Sequence, residues 1–438
     1  MVARLGAVCA AWVFLAALAH ADDELDLSGN VRSIPVLVDS GRLGLGQEDD
    51  HSTAVQTLLR MIAEDRRGER WSWEAHLVQS HTWRSADPTS GAGDRLAGGR
   101  LRYRALDLTW DWWTARGPAA DPGDRNSASL WLDRANARLS LPSADVTIGR
   151  QAITFGKAYF WNPLDVFLPF DPNQFDRDYK AGVDALRVDL PRGDFSGVTL
   201  VAAWGREIAV DGVRPTGTYV CGDRFADVSW YGSAVLGRYF TNFRGWDVAV
   251  QGGKIYGGYQ LGGALVGELG PLEIRAEGAY LWALDSDRPL PAPFEGEQLI
   301  EDHLALVLGG GHTFPSSFFF QVEHFVNGAG DPDDLAKALL RLETGAALNL
   351  GRHVTGLVAG YDLTPLVRGQ LAALYSWSDG SFQLQPLVTV SLADNADLLF
   401  GVNLNHGERP VVGPEGIELM SEFGSFPNVL FSEVKFYF

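Results

Sequence analysis

The sequence has little cysteine, a shortage of basic residues and almost no long apolar runs, and each shortage excludes a class of protein. Two cysteines occur among 438 residues. Cys9 lies in an N-terminal apolar stretch, so removal of that stretch leaves Cys221 alone and rules out an intramolecular disulfide framework. Lysine and arginine number 36 against 55 aspartates and glutamates, a formal net charge of -19. That balance argues against a nucleic-acid partner, because phosphate binding needs clustered basic surface. Past the leader no run of eighteen apolar residues occurs, which excludes a helical membrane protein. Gly-x-Ser-x-Gly, His-Glu-x-x-His, Cys-x-x-Cys and P-loop patterns are missing as well. His303, His312 and His324 lack the i, i+4 spacing of a helical metal site. No catalytic residue, metal or cofactor is therefore expected. The acidic clusters at 48–50, 295–297 and 331–334 read as solvated loops.

What is present has a period of two. In the last eleven residues Leu430, Ser432, Val434, Phe436 and Phe438 share one face, and Phe431, Glu433, Lys435 and Tyr437 share the other. An apolar row opposite charge is the pattern of a strand between lipid and a wet interior. Phe436 and the terminal Phe438 resemble the signal by which barrel proteins are recognised for insertion. At the other end Arg4 precedes an apolar region, Leu5 to Leu18, and Ala19-His20-Ala21 fits the small-x-small cleavage rule. Residues 1–21 are thus expected to be a cleaved signal peptide and 22–438 an outer-membrane barrel of a Gram-negative cell.

The same alternation recurs along the chain, punctuated by Gly, Pro, Asp and Asn turns. Leu106, Leu108, Trp110 and Trp112 oppose Tyr103, Asp107, Thr109 and Asp111; Leu398, Phe400, Val402 and Leu404 oppose Asp397, Gly401, Asn403 and Asn405. Twenty strand candidates result, including 100–115 and 337–349. An even number is required, and the expectation is an all-β, antiparallel transmembrane barrel of about 18 strands, within a range of 16 to 20, with inward-folded loops. Turns at 191–194, 269–271 and 314–316 should face the periplasm and longer loops the outside. Trp71, Trp73, Trp83, Trp110, Trp112, Trp113 and Trp131 are expected in interfacial girdles.

The densest constellation runs from Gly149-Arg150-Gln151 through Phe155, Lys157, Trp161-Asn162-Pro163 and Asp165 to Asp184. Residues 133–187, with 421–424 and the final strand, resemble large Gram-negative outer-membrane porin-like barrels, including the alginate-export type. In those a strand carrying Gly-Arg-Gln leads into an aromatic loop with Asn-Pro and Asp.

The segment 155–180 is too rich in proline and aromatics for a loose surface loop, and is expected to fold into the barrel mouth. Charges in a narrowed, low-dielectric passage select ions most strongly. Arg150, Lys157, Asp165, Asp171, Asp176, Arg177, Asp178 and Lys180 are accordingly candidate constriction residues, joined by Arg134 and Arg138 on a strand face with Asn136 and Ser140, opposite Trp131. The competing expectation is that these charges pair and pin the loop. Glu74, His76, Glu277, Glu323, Arg341, Glu343, Glu433 and Lys435 are expected at other lumen positions.

The expected function is a channel for passive or substrate-biased passage of small hydrophilic solutes or ions. Its partners would be outer-membrane lipid, the barrel-assembly machinery and the solutes themselves, with the oligomeric state open. The alternatives are a barrel for uptake of apolar molecules, or a structural or enzymatic barrel without an open pore.

Overall fold

Strands with one apolar face cannot hide that face in water, and here they close on themselves. The computed structural model describes residues 25–39, 51–67, 70–85, 102–113, 125–168, 178–208, 210–213, 219–221, 227–288, 290, 292, 294–413 and 416–438. Eighteen antiparallel strands form one closed barrel. They are β1 Leu25–Asp39, β2 His51–Arg67, β3 Trp71–Arg84, β4 Asn126–Leu141, β5 Ala144–Gln151, β6 Val183–Pro191, β7 Ser196–Ala203, β8 Ala234–Phe243 and β9 Trp246–Ile255. The circuit continues with β10 Gly258–Leu269, β11 Leu272–Ala283, β12 His303–Thr313, β13 Phe319–Asn327, β14 His353–Thr364, β15 Val367–Ser376, β16 Phe382–Ala393, β17 Ala396–His406 and β18 Asn428–Tyr437. Every neighbour in sequence is a neighbour in space, and β18 pairs with β1 to close the seam. Closure leaves no unpaired edge, which a bilayer does not tolerate.

The seam shows how the terminal residue is seated. The backbone of Phe438 exchanges hydrogen bonds of 2.9 and 3.0 Å with Gly29. A side chain at position 29 would collide with the Phe438 ring, so glycine is what lets the ring lie flat there. Phe436 and Phe438 are exposed to the outside, whereas Phe431 and Glu433 on the alternate face are buried.

All connections at one end are tight turns, among them those at 191–194, 269–271 and 314–316. At the other end most connections are long. The exceptions are the two-residue link 256–257, where Gly257 has a φ of +70, and the short link 377–381. Exposed aromatics form two belts. Trp71, Phe195, Phe243, Phe314, Tyr361 and Phe438 lie toward the short-turn end, and Trp83, Trp110, Trp204, Trp230, Trp282 and Trp377 toward the long-loop end. Amphipathic rings at two depths are what a bilayer's two interfaces select.

Two of the twenty expected strands are not barrel strands. Leu335–Thr344 is a helix, α1, because Asp334 caps its start by accepting from the Lys337 amide at 3.0 Å and Gly345 ends it at a φ of 76. Its residues are strong helix formers, and its apolar side packs on Leu350 and Phe426. Arg341 and Glu343 therefore ride on a loop helix, not on a lumen strand. Among the described residues of the region 100–115, only Thr109–Trp113 is extended, and its ladder is with β4. The segment 102–113 is a patch in the wall. β5 stops at Gln151, and the gap above it is filled by this segment, with Asp184 N donating to Tyr103 O at 2.8 Å and Leu132 N to Leu108 O at 3.1 Å.

A β-bulge between His76 and Leu77 on the β3–β4 ladder shifts the register at Asp133. Trp131 then lies opposite Val78, on the inner face with Arg134. The expected placement of Trp131 in a girdle, opposite the arginines, is thereby corrected. Trp73 is partly buried and donates its indole N–H to Asp65, and the side chains of Trp112 and Trp113 lie outside the described residues.

Candidate functional site

The connection between β5 and β6 turns inward and reaches opposite walls of the barrel. Its first limb, 152–168, is anchored by wall carboxylates. Glu277 on β11 accepts the Lys157 and Leu164 amides at 2.7 and 2.8 Å. Glu323 on β13 accepts those of Tyr159 and Phe160 at 2.6 and 2.8 Å. Gln251 and Gln260 donate side-chain N–H groups to the carbonyls of Leu164 and Pro163. Each carboxylate satisfies backbone donors that would otherwise be stranded in an apolar interior. Around these anchors Phe155 and Phe167 pack with Tyr103, Val183, Val201 and Leu236, and Trp161 stacks on Phe325 with ring centroids 5.3 Å apart.

The second limb, 178–180, touches the other side. Asp178 accepts from Lys435 on β18 at 2.7 Å and lies 3.5 Å from Arg32 on β1. The guanidiniums of Arg60 and Arg32 sit 4.3 and 4.9 Å from the centroid of the Tyr179 ring, a stacking that uses the ring's negative face. The Tyr179 hydroxyl accepts from Asn30. Arg60 is bonded to Asp133 at 2.8 Å, which also receives Arg104 at 3.1 Å. Arg32 lies 3.7 Å from Glu433.

The expected constriction residues separate into three groups. Asp165 and Lys180 form a buried ion pair with each other. Arg150 is in the wall, where it is bonded to both oxygens of Asp184 at 2.7 and 2.9 Å and to the carbonyls of Leu132 and Leu106. These residues pin the loop and the patch; a closely paired buried charge adds little field to the lumen. Asp178 and Arg134 belong to the junction of loop and wall, Arg134 donating to the Lys180 carbonyl at 3.3 Å. Arg138 and Lys157 remain solvated, with side chains 51% and 46% exposed; Arg138 is bonded to Asp145 at 2.6 Å and Lys157 lies 3.7 Å from Asp247. Asp171, Asp176 and Arg177 lie outside the described residues.

Arg32, Arg60, Asp133 and Tyr179 were absent from the expected site. Arg32 and Arg60 occupy inward phases of β1 and β2, so the alternation in those strands was the available signal. Glu277 and Glu323 were expected in the lumen, but their role as amide acceptors for a distant loop leaves no trace in local sequence.

A closed eighteen-strand barrel with two aromatic belts and a connection seated on both sides of its interior has the architecture of outer-membrane porins. No family model matches the sequence, and no curated protein matches it. Solved structures do match in fold. OccAB4 of Acinetobacter baumannii superposes with a TM-score of 0.54 at 7% identity, covering 95% of this chain and 99% of that one. OccK8 (OprE) of Pseudomonas aeruginosa gives 0.54 at 9% identity over 94% and 98% of the two chains. OccK5 (OpdH) of the same organism gives 0.52 at 8% over 95% and 98%.

Proposed function

We propose that this protein is an outer-membrane channel for small hydrophilic solutes or ions, exported by a leader spanning residues 1–21 and assembled through its Phe436 and Phe438 terminus by the barrel-assembly machinery. The observation that carries the reading is the inward segment bonded to β11 and β13 on one side and to β1, β2 and β18 on the other. Limbs of one connection seated on both sides of the lumen narrow it while leaving the wall intact. In this reading Arg138, Lys157, Arg134 and Asp178 border the passage, Arg32 and Arg60 stand behind them, and Asp171, Asp176 and Arg177 are further candidates. The arginines favour solutes with an anionic group, tempered by Asp133, Asp178 and Glu433. The alginate-export type is one of the porin-like barrels that the sequence resembles, through Gly149-Arg150-Gln151 and the Asn162-Pro163 loop.

Uptake of apolar molecules is less well supported, because the apolar interior of the first limb is already buried against the chain's own wall. Planar-bilayer recording of the purified protein tests the proposal. Discrete ohmic steps are expected, and a silent, correctly folded barrel would refute it.

A further inference from the structure

Away from the loop, near the short-turn end, the inner wall carries a cluster that the channel reading does not use. Glu64 on β2 and Glu74 on β3 are cross-strand partners. His76 stands two residues along β3 on the same face. Their ligand-type atoms all lie within 4.8 Å of one another.

His76 is 2% exposed. Its Nδ1 meets Nη1 of Arg60 at 3.3 Å. Its Nε2 is buried without a hydrogen-bond partner and is directed at Glu74, 3.6 Å from a carboxylate oxygen. Buried polar atoms are seldom left in that state. The other oxygen of Glu74 is held by the Asn136 amide at 2.7 Å, an orienting contact of the type that surrounds metal ligands. Among the described residues neither glutamate is paired with a lysine or arginine.

We propose that Glu64, Glu74 and His76 bind a first-row divalent cation of the Zn²⁺ type. An imidazole nitrogen with two carboxylates suits Zn²⁺ and its neighbours, whereas Ca²⁺ and Mg²⁺ call for oxygen donors throughout. Three protein ligands leave a fourth position for lumen water. Donors about 2.1 Å from a tetrahedral ion stand ~3.4 Å apart, a closure that glutamate torsions supply without moving the wall. Ligation through Nε2 places the ring proton on Nδ1, so Arg60 gives up that contact and keeps its 2.8 Å bond to Asp133. Among the described side chains, Arg60 from β2 and Arg134 from β4 are the cations facing the cluster. The first is matched by Asp133, and the second is turned toward the Lys180 carbonyl.

The proposal rests on wall geometry and holds whether or not the barrel conducts. Its test is calorimetric titration of Zn²⁺ into the full-length, heat-modifiable protein in detergent. One ion per chain is expected, with Ca²⁺ failing to compete. Glu64→Gln and Glu74→Gln should each weaken binding roughly tenfold or more, and His324→Ala, on the outer face, should leave it unchanged. Co²⁺ in place of Zn²⁺ should give a visible absorption band that His76→Ala removes. No uptake by the wild type, or equal uptake by the wild type and the Glu64→Gln/Glu74→Gln double variant, overturns the proposal.

Discussion

The two halves of the barrel interior are built differently. From β6 to β15 the wall is carpeted by the inward loop, with aromatic and aliphatic side chains such as Phe155, Phe160, Trp161 and Phe167 buried against it. From β16 through the seam to β4 much of the inner face is polar or charged: Gln383, Asn403, Glu433, Lys435, Arg32, Arg60, His76 and Arg134. An apolar patch of Ile34, Val36, Val38 and Phe431 interrupts this half on β1 and β18. The contrast teaches that one half of the lumen works as an apolar protein core and the other as a polar wall whose side chains are largely buried and paired with one another. The two acids buried in the wall under the loop, Glu277 and Glu323, serve the loop backbone and not the solute.

The comparison is broken most severely by releasing the loop. Glu277→Ala with Glu323→Ala removes four charged hydrogen-bond acceptances, each worth on the order of 1.5–3 kcal/mol. The loop should detach, and single-channel conductance should rise severalfold while the barrel stays heat-modifiable. Next in size is Arg150→Met, which strands Asp184 in the wall. Breaking a buried pair costs about 3–5 kcal/mol, visible as a lower temperature for loss of the compact form on gels. An unchanged transition would mean that the patch is held by its backbone bonds alone.

Deleting Phe438 tests the seam in the polar half. Outer-membrane levels should drop while export into the periplasm continues, as cell fractionation would show. Smaller effects are expected from the solvated charges. Lys157→Gln and Arg138→Gln together should shift reversal potentials toward cation preference at low salt and fade as screening rises. The smallest concerns the outer loops. Glu422 accepts from the Asn349 side chain at 2.6 Å and from the Leu350 and Gly351 amides, and burial pushes its carboxyl above the ordinary range. The folded form therefore holds the proton more tightly than the unfolded one. Its contribution is greatest below the ordinary carboxylate pKa and declines as pH rises through the raised value. Protease resistance of the loop 407–427 should accordingly be higher at acid pH, and the Glu422→Gln variant should lose that dependence.

Much of this was legible in the chain. The phases of β17 and β18 were readable because each strand has one neighbour set on each face, and alternation records both. The helix at 335–344 was misread because Ala338, Leu340 and Leu342 satisfy a short period-two window as readily as a helical one, while Asp334 and Gly345 were the informative residues. The patch at 102–113 has the alternation of a strand but fills a gap left by a shorter one, a tertiary fact. Trp131 changed sides through one inserted residue, which no pattern of polarity reveals. For the site, the inward course of 155–168 followed from its prolines and aromatics. Which charges would pair with one another depended on contacts such as Arg150 with Asp184 and Lys435 with Asp178, and those are set by the closed barrel.

The division of the lumen is tested most directly by charged thiol reagents applied to single cysteines in a Cys221→Ser background while current is recorded. Cysteine at Arg138 or Glu74, the accessible positions of the polar wall, should react and reduce the current. Cysteine at Ala264 or Ala279, under Leu164 of the loop, should not react until Glu277 and Glu323 are replaced. Equal reaction at all four positions in the otherwise unaltered barrel would contradict the account, because it would mean that solute reaches the wall the loop is said to cover.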